Sequence, residues 1–329
     1  MGLLFLMGVK LIKARVKRNS NFNHRRPTLN SSTDNRKGIL LMLVAMAGFT
    51  IEDTFIKKLS GTVSIGQILA VVGLISCVLF AILAIKNGRN ILNANLWTKI
   101  TIARMLAEAI AAVAFVAALS LVPLSTVAAV FQVTPLTITM GAALFLGEKV
   151  GWRRWLAVCI GFVGVLLIIR PGFGGFNPSV LWVLLAVVGV AARDLLTRVI
   201  PAHVGSSIIS FQAFAALGVA GLMCMLVSPE TIAPIGPQEV LFFACTIVFS
   251  ITGYYAIVIA MRMGNASIVA PFRYSRLLFA LLVGIFVFNE TVDLLTIVGS
   301  LIIIFTGLYT FMRERKVARA SDKNAGLTL

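Results

Sequence analysis

Histidine is nearly missing from this chain, with two in 329 residues, and acidic side chains are scarce, 12 against 29 Lys and Arg. His24 and His203 fall in a tail and a loop, and neither HExxH nor GxSxG occurs. The usual equipment of an enzyme buried among helices is therefore absent from the apolar segments. The four cysteines, Cys77, Cys159, Cys224 and Cys245, lie singly inside apolar runs. Without paired spacing they argue against a disulfide framework or a metal cluster, and they read as small core residues. No GxxxxGK[ST] loop is present, which excludes the common route to ATP-driven work. Neither a cofactor nor a metal is expected.

Charge is the most informative shortage. At 12% charged residues, 59% hydrophobic residues and a mean hydropathy of +0.98, the chain has too little polar surface for a soluble domain of its size. A helix needs about 20 apolar residues to cross a bilayer. Runs of that length start near Gly38, Ser64, Lys99, Leu121, Arg154, Ser179, Ser206, Glu239, Asn265 and Val292, ten in all. The expected fold is all-α and membrane-embedded.

The formal net charge of +17 would suggest nucleic acid in a soluble protein, so its location decides. With the N-terminus on the cytoplasmic side, 22 of the 29 Lys and Arg fall in cytoplasmic segments. That bias places both termini in the cytoplasm and points to anionic lipid headgroups, not nucleic acid, as partners of the basic tails. Residues 1–37 and 313–329 are those tails, with a short apolar start, MGLLFLMGV, that is too short to span. The first segment is expected to be mobile and partly amphipathic, or to precede the true start.

An internal repeat organises the remainder. Sliding Ala118–Pro171 forward by 142 positions brings Ser125, Ala128, Glu148 and Val150 onto Ser267, Ala270, Glu290 and Val292. Aligning Gly48 with Gly189 places Asp53 on Asp194 and Lys57 on Arg198. Residues 38–172 and 176–312 thus form two five-helix halves. Because five is odd, the second half crosses the membrane in the opposite sense, so the repeat is inverted.

Ionisable groups inside the spans are costly and face an interior or a watery cavity. Asp53 and Lys57 are one turn apart and can pair within the first span. In the third span Arg104 and Glu108 are likewise four apart, either an intrahelical pair or a cavity lining, followed by an alanine stripe at 107, 111, 114 and 118 that allows close helix approach. The second span, with only Gln67 and Ser76, is expected to pack. Pro135, beside Gln132 and Thr134, should kink or unwind the fourth span. Its counterpart, the ninth, carries Pro271, Arg273, Tyr274 and Arg276, and an arginine near mid-membrane must meet a carboxylate, carbonyls, water or ligand. The candidate substrate-binding or coupling residues are Asp53, Arg104, Glu108, Gln132, Asp194, Arg273, Tyr274 and Arg276. Glu148 and Glu290, at the ends of the fourth and ninth spans, read as structural.

A Pro-containing fourth helix ending in Gly147-Glu148, then a Trp155-led helix with Gly161 and Gly164, with an echo in Asn289-Glu290, Gly299 and Gly307, resembles the EamA-domain branch of the drug/metabolite transporter superfamily. The resemblance covers about Gly38 to Met312. It implies ten helices in two inverted repeats, a central cavity from the first four helices of each half and a peripheral fifth. It further implies a secondary transporter in the bacterial inner membrane that works by alternating access on a small metabolite. Aromatic and amide groups (Phe131, Gln132, Tyr254, Tyr255, Tyr274) suit a ring-bearing polar compound, so uptake of riboflavin or a similar vitamin is the leading expectation. Export of amino acids or toxic metabolites and an intramembrane enzyme are the alternatives, with a membrane-embedded sensor as a third.

Overall fold

The computed structural model describes residues 32–91, 93, 96–148, 150–171, 177–201, 204–227, 232–263 and 269–326. The apolar start and most of the basic N-terminal tail, residues 1–31, lie outside that set. Among the described residues ten helices are long and apolar enough to cross a membrane. In chain order the helices are α1 (Ser32–Leu59), α2 (Ile65–Lys86), α3 (Lys99–Leu121), α4 (Leu124–Phe131), α5 (Thr134–Phe145), α6 (Trp152–Ile169), α7 (Val180–Val199), α8 (Ser206–Val227), α9 (Pro237–Met263), a 3-10 turn at Ala270–Tyr274, α10 (Ser275–Phe288) and α11 (Leu294–Gly326). The fourth span is α4 plus α5, and the ninth is the 3-10 turn plus α10. Among the described residues there is no strand, as expected where backbone groups must be satisfied within each segment. The basic C-terminal segment continues α11 as a helix to Gly326.

The packing follows the repeat. α1 lies against α9 and α3 against α7, so the first helix of each half packs on the third of the other. α2 packs on α8, and α6 on α11. These are the contacts that a pseudo-twofold axis in the membrane plane dictates, and the fold is two inverted five-helix repeats. Lipid provides no hydrophobic drive for helix association, so close approach at small residues carries it. A Cβ on Gly189 would lie 2.8 Å from the Ala111 Cβ, in the alanine stripe of α3, and one on Gly48 would lie 3.5 Å from the Gly253 Cα, the equivalent crossing of α1 on α9. At the α6–α11 crossing a Cβ on Gly164 would come within 2.8 Å of the Gly299 carbonyl.

The fourth span breaks where its proline predicts. Pro135 has no amide to offer the Phe131 carbonyl, and the Thr134 hydroxyl donates to that carbonyl instead. Helix α4 therefore ends at Phe131, and Gln132 and Val133 form the joint. The ninth span starts in the tighter 3-10 form through Pro271 and becomes α-helical at Ser275.

Both spans stop in the same way. Gly147 (φ 69°) and Asn289 (φ 50°) adopt the left-handed conformation, after which the Glu148 and Glu290 amides donate back six residues to the Ala142 and Gly284 carbonyls at 3.2 and 2.9 Å. This is a left-handed C-terminal stop, for which Gly and Asn are the favoured residues. It fixes where each glutamate emerges.

The cysteines depart from expectation. All are free, but Cys159 is exposed and the other three are half-buried, because their helix faces turn away from the packed interior. The second span packs as expected. Gln67 exchanges two hydrogen bonds with the backbone of Ala233, at 2.9 and 3.0 Å.

Candidate functional site

Two groups of charged side chains lie between the halves. In the first, Asp53 of α1 is only 3% exposed and accepts two bonds from Arg276 of α10, Nη2 to Oδ2 at 2.7 Å and to Oδ1 at 2.9 Å. The arginine also sits over three phenyl rings, Phe49, Phe115 and Phe131, at 5.4, 5.7 and 5.8 Å. Phe115 and Phe131 themselves touch, with centroids 5.0 Å apart. A guanidinium is suited to this setting, since its plane stacks on aromatic faces while its edge binds a carboxylate. The residue adjacent to Asp53, Glu52, interacts with the Ser250 side chain of α9.

In the second group, Glu108 of α3 accepts from Arg104 at 3.1 Å and from Arg193 of α7 at 2.9 Å. Arg193 also reaches Asp194 at 2.8 Å. The Arg104 Nε donates to the Thr197 hydroxyl at 2.9 Å, and Thr197 in turn donates to the Arg193 carbonyl at 2.8 Å. The expected Arg104–Glu108 pair thus exists and is part of a network that joins α3 to α7. One Arg104 nitrogen, Nη1, is buried without a partner.

Arg273 interacts electrostatically with both groups, with Asp194 and Arg193 of the second and with Arg276 of the first. Its side chain is exposed and, among the described residues, makes no ion pair or hydrogen bond. An exposed guanidinium at this depth is tolerable only in a polar cleft, and its neighbours come from α7 and α10, in the interior of the bundle. Gln132, at the joint of the fourth span, is half-buried and its amide likewise has no partner among the described residues. Tyr274 turns the other way. Its hydroxyl is buried without a partner, lodged where Gly307 of α11 has no side chain.

The family model of the EamA-like transporter family matches residues 36–170 and again 177–312. The chain belongs to the EamA-like transporter family. It is 29% identical over 198 residues to an S-adenosylmethionine uptake transporter of Rickettsia conorii, covering 60% of this chain and 66%, just under two thirds, of that protein. A riboflavin transporter of Vibrio cholerae is 28% identical over the same shares. The pseudopaline exporter CntI of Pseudomonas aeruginosa is 25% identical over 82% of this chain and 94% of its own. A solved crystal structure aligns over 86% of this chain and 99% of its own, with a TM-score of 0.55 at 16% identity, which supports the fold alone. This EamA chain is thus a multi-pass membrane protein of a family that transports small metabolites.

One sequence expectation is corrected. Asp53 and Lys57 do not pair along α1. Asp53 takes Arg276 instead, and Lys57 Nζ donates to the Leu119 and Val122 carbonyls at 3.1 and 2.7 Å. The last carbonyls of α3 have no helical amide, and a lysine there satisfies them better than it would a carboxylate already bound by arginine. Missed altogether were Phe49 and Phe115, which look like ordinary apolar residues in sequence, and Thr197, one turn beyond Arg193. Arg193 was visible as a charge within a span, but its bridging role needs α3 beside α7. Of the other aromatics, Tyr254 packs edge-on against Phe80 at 5.9 Å, whereas Tyr255 is 63% exposed.

Proposed function

We propose that this chain is a secondary transporter in the bacterial inner membrane, with both termini cytoplasmic, that takes up a zwitterionic, ring-bearing metabolite by alternating access between its halves. S-adenosylmethionine is the first candidate. The observation that carries this reading is Arg273, an exposed guanidinium without an ion pair or hydrogen bond among the described residues, which interacts electrostatically with Asp194 and Arg193 of one cluster and with Arg276 of the other. A substrate carboxylate completes it, with charge-assisted hydrogen bonds of the strong kind. Asp53 and Asp194 offer acceptors for a substrate cation, Phe115 and Phe131 a stacking surface, and Gln132 a directional amide. Arg104, Glu108 and Arg276 hold these groups in place, and Tyr274 anchors the 3-10 turn on α11.

Riboflavin, the substrate named for another relative, is the second candidate. It suits the rings and Gln132 but brings no carboxylate to Arg273. The family and its relatives are transporters, and no sequence feature favours catalysis over transport. Counterflow of labelled S-adenosylmethionine and riboflavin into proteoliposomes, with thermal stabilisation of the purified protein by each, tests the reading. Accelerated exchange and stabilisation by S-adenosylmethionine are expected. Exchange of riboflavin alone would move the assignment to the second candidate, and binding without exchange would make the protein a sensor.

A further inference from the structure

We infer that Lys57 and Glu290 form a latch closing one end of the transport pathway, that Arg198 and Glu148 are its counterpart at the other end, and that this structure is latched at the Lys57 end only. The inference rests on the transport reading but not on the substrate.

Glu290 leaves the left-handed turn after α10 pointing at the other half of the molecule. Its carboxylate accepts from the amides of Leu124 and Ser125 at 2.5 and 2.9 Å and from the Ser125 hydroxyl at 2.7 Å, so it caps α4 from outside. Lys57 serves the adjoining helix end, binding the last carbonyls of α3, and its Nζ stands 3.9 Å from Glu290 Oε1. Val122 and Pro123 separate those two termini. A cation thus meets the negative end of α3 and an anion the positive end of α4, each matched to a helix dipole. Three elements of the first half and α10 of the second are tied at one point, with the two side chains only 17% and 9% exposed.

The repeat supplies the counterpart. Lys57 aligns with Arg198 and Glu290 with Glu148. The fourth span, Leu124–Phe145, is 22 residues long. At 1.5 Å per residue it separates the two pairs by about 33 Å. Arg198 and Glu148 are in contact at 3.3 Å, but their side chains are 51% and 52% exposed. α4 packs on α10 at the Lys57 end, and among the described residues no comparable packing joins α5 to the 3-10 turn at the other. Among the described residues the Lys57 end is dry and tied, whereas the Arg198–Glu148 contact is open to solvent. Under the positive-inside orientation this is a state open to the cytoplasm.

Solvent access on each side tests the latch. With the four native cysteines replaced by serine, Gln132→Cys reports on the pathway, and Gly61→Cys and Arg153→Cys mark the two faces of full-length protein in vesicles. The reagent is a membrane-impermeant maleimide, used without substrate, so a failed S-adenosylmethionine flux bears on the substrate and not on the latch. Without latch substitutions, Gln132→Cys should label from the Arg153 side. Glu290→Gln should speed its labelling from the Gly61 side about tenfold, the scale of one lost charge-assisted hydrogen bond. Lys57→Met should act in the same direction, and Glu148→Gln should not. The exchange Lys57→Glu with Glu290→Lys should fail to restore closure, because each charge serves a helix end as well as its partner. Unchanged labelling in both Glu290→Gln and Lys57→Met, with only a lowered melting temperature, would overturn the inference, as would full closure in the exchanged pair.

Discussion

Replacing Arg276 by methionine leaves Asp53 buried, charged and without its two hydrogen bonds, in a site walled by Phe49, Phe115 and Phe131. Removing one member of a buried ion pair costs about 3–5 kcal/mol, because the stranded charge keeps its desolvation penalty. Arg276 retains 21% exposure of its side chain, so the lower end, about 3 kcal/mol, applies. At roughly 2 °C per kcal/mol for a large domain, the melting temperature in detergent should fall by about 6 °C. Asp53→Leu should cost a similar amount for the mirror reason. The double variant strands neither charge and should recover most of the loss, within about 1–2 kcal/mol of the parent, since an apolar replacement of a whole buried pair is often nearly neutral. Arg276→Lys should rescue poorly, because an ammonium cannot bind both carboxylate oxygens and stack on three rings together. The assay is a double-mutant cycle on thermal or denaturant unfolding, with transport followed in parallel. Transport should be lost in all these variants, including the stable double one. A double variant at the sum of the two single losses would show that the pair is not coupled and would refute the argument.

Arg273→Gln should lower uptake of a carboxylate-bearing substrate at least about tenfold, with an unchanged melting temperature, since no protein partner is lost; a fall in stability instead would give the residue a structural role. Asn289→Ala should destabilise by about 1 kcal/mol through the left-handed backbone, and Asn289→Gly should be neutral or slightly stabilising, both read by melting temperature. Gly164→Leu should drive α6 from α11 and lower the melting temperature by the equivalent of about 1–3 kcal/mol, yet leave substrate affinity, read by thermal shift, unaltered because neither helix supplies a side chain to the proposed site. A reporter fused after Gly151 should read cytoplasmic and one after Asn177 periplasmic; the reverse would invert the assignment of sides.

The spans were legible because lipid imposes a length and a composition on them, and the repeat because four paired positions keep one spacing. Even the break at Gln132 follows from one missing amide at Pro135. The site was legible only as far as charge is conspicuous in an apolar run. Asp53, Arg104, Glu108, Asp194, Arg273 and Arg276 announce themselves by their cost in lipid, whereas Phe49 and Phe115 matter through Arg276, a cation far from both in sequence, which no local pattern encodes. Partner choice was the weakest point. Two oppositely charged residues one turn apart suggest an intrahelical pair, and Asp53 with Lys57 would be one if α10 and the end of α3 did not offer each a better partner.

The two halves differ in a way that separates gating from recognition. At the latch positions the repeat preserves charge: Lys57 matches Arg198, and Glu290 matches Glu148. At the site it does so only where Asp53 matches Asp194. Arg276 aligns with Thr134, Arg273 with Phe131, Tyr274 with Gln132, and Glu52 with Arg193. Alternating access needs two end states of comparable free energy, which equivalent closures at either end provide, since each state then gains one latch and forfeits the other. A substrate with a carboxylate at one end and a ring at the other has no such symmetry, and a site shared by both states must present an arginine where its mirror position presents a phenylalanine. Selection on the same duplicated scaffold therefore pulls the ends toward likeness and the middle toward difference, and the pattern of charges along this chain follows that division.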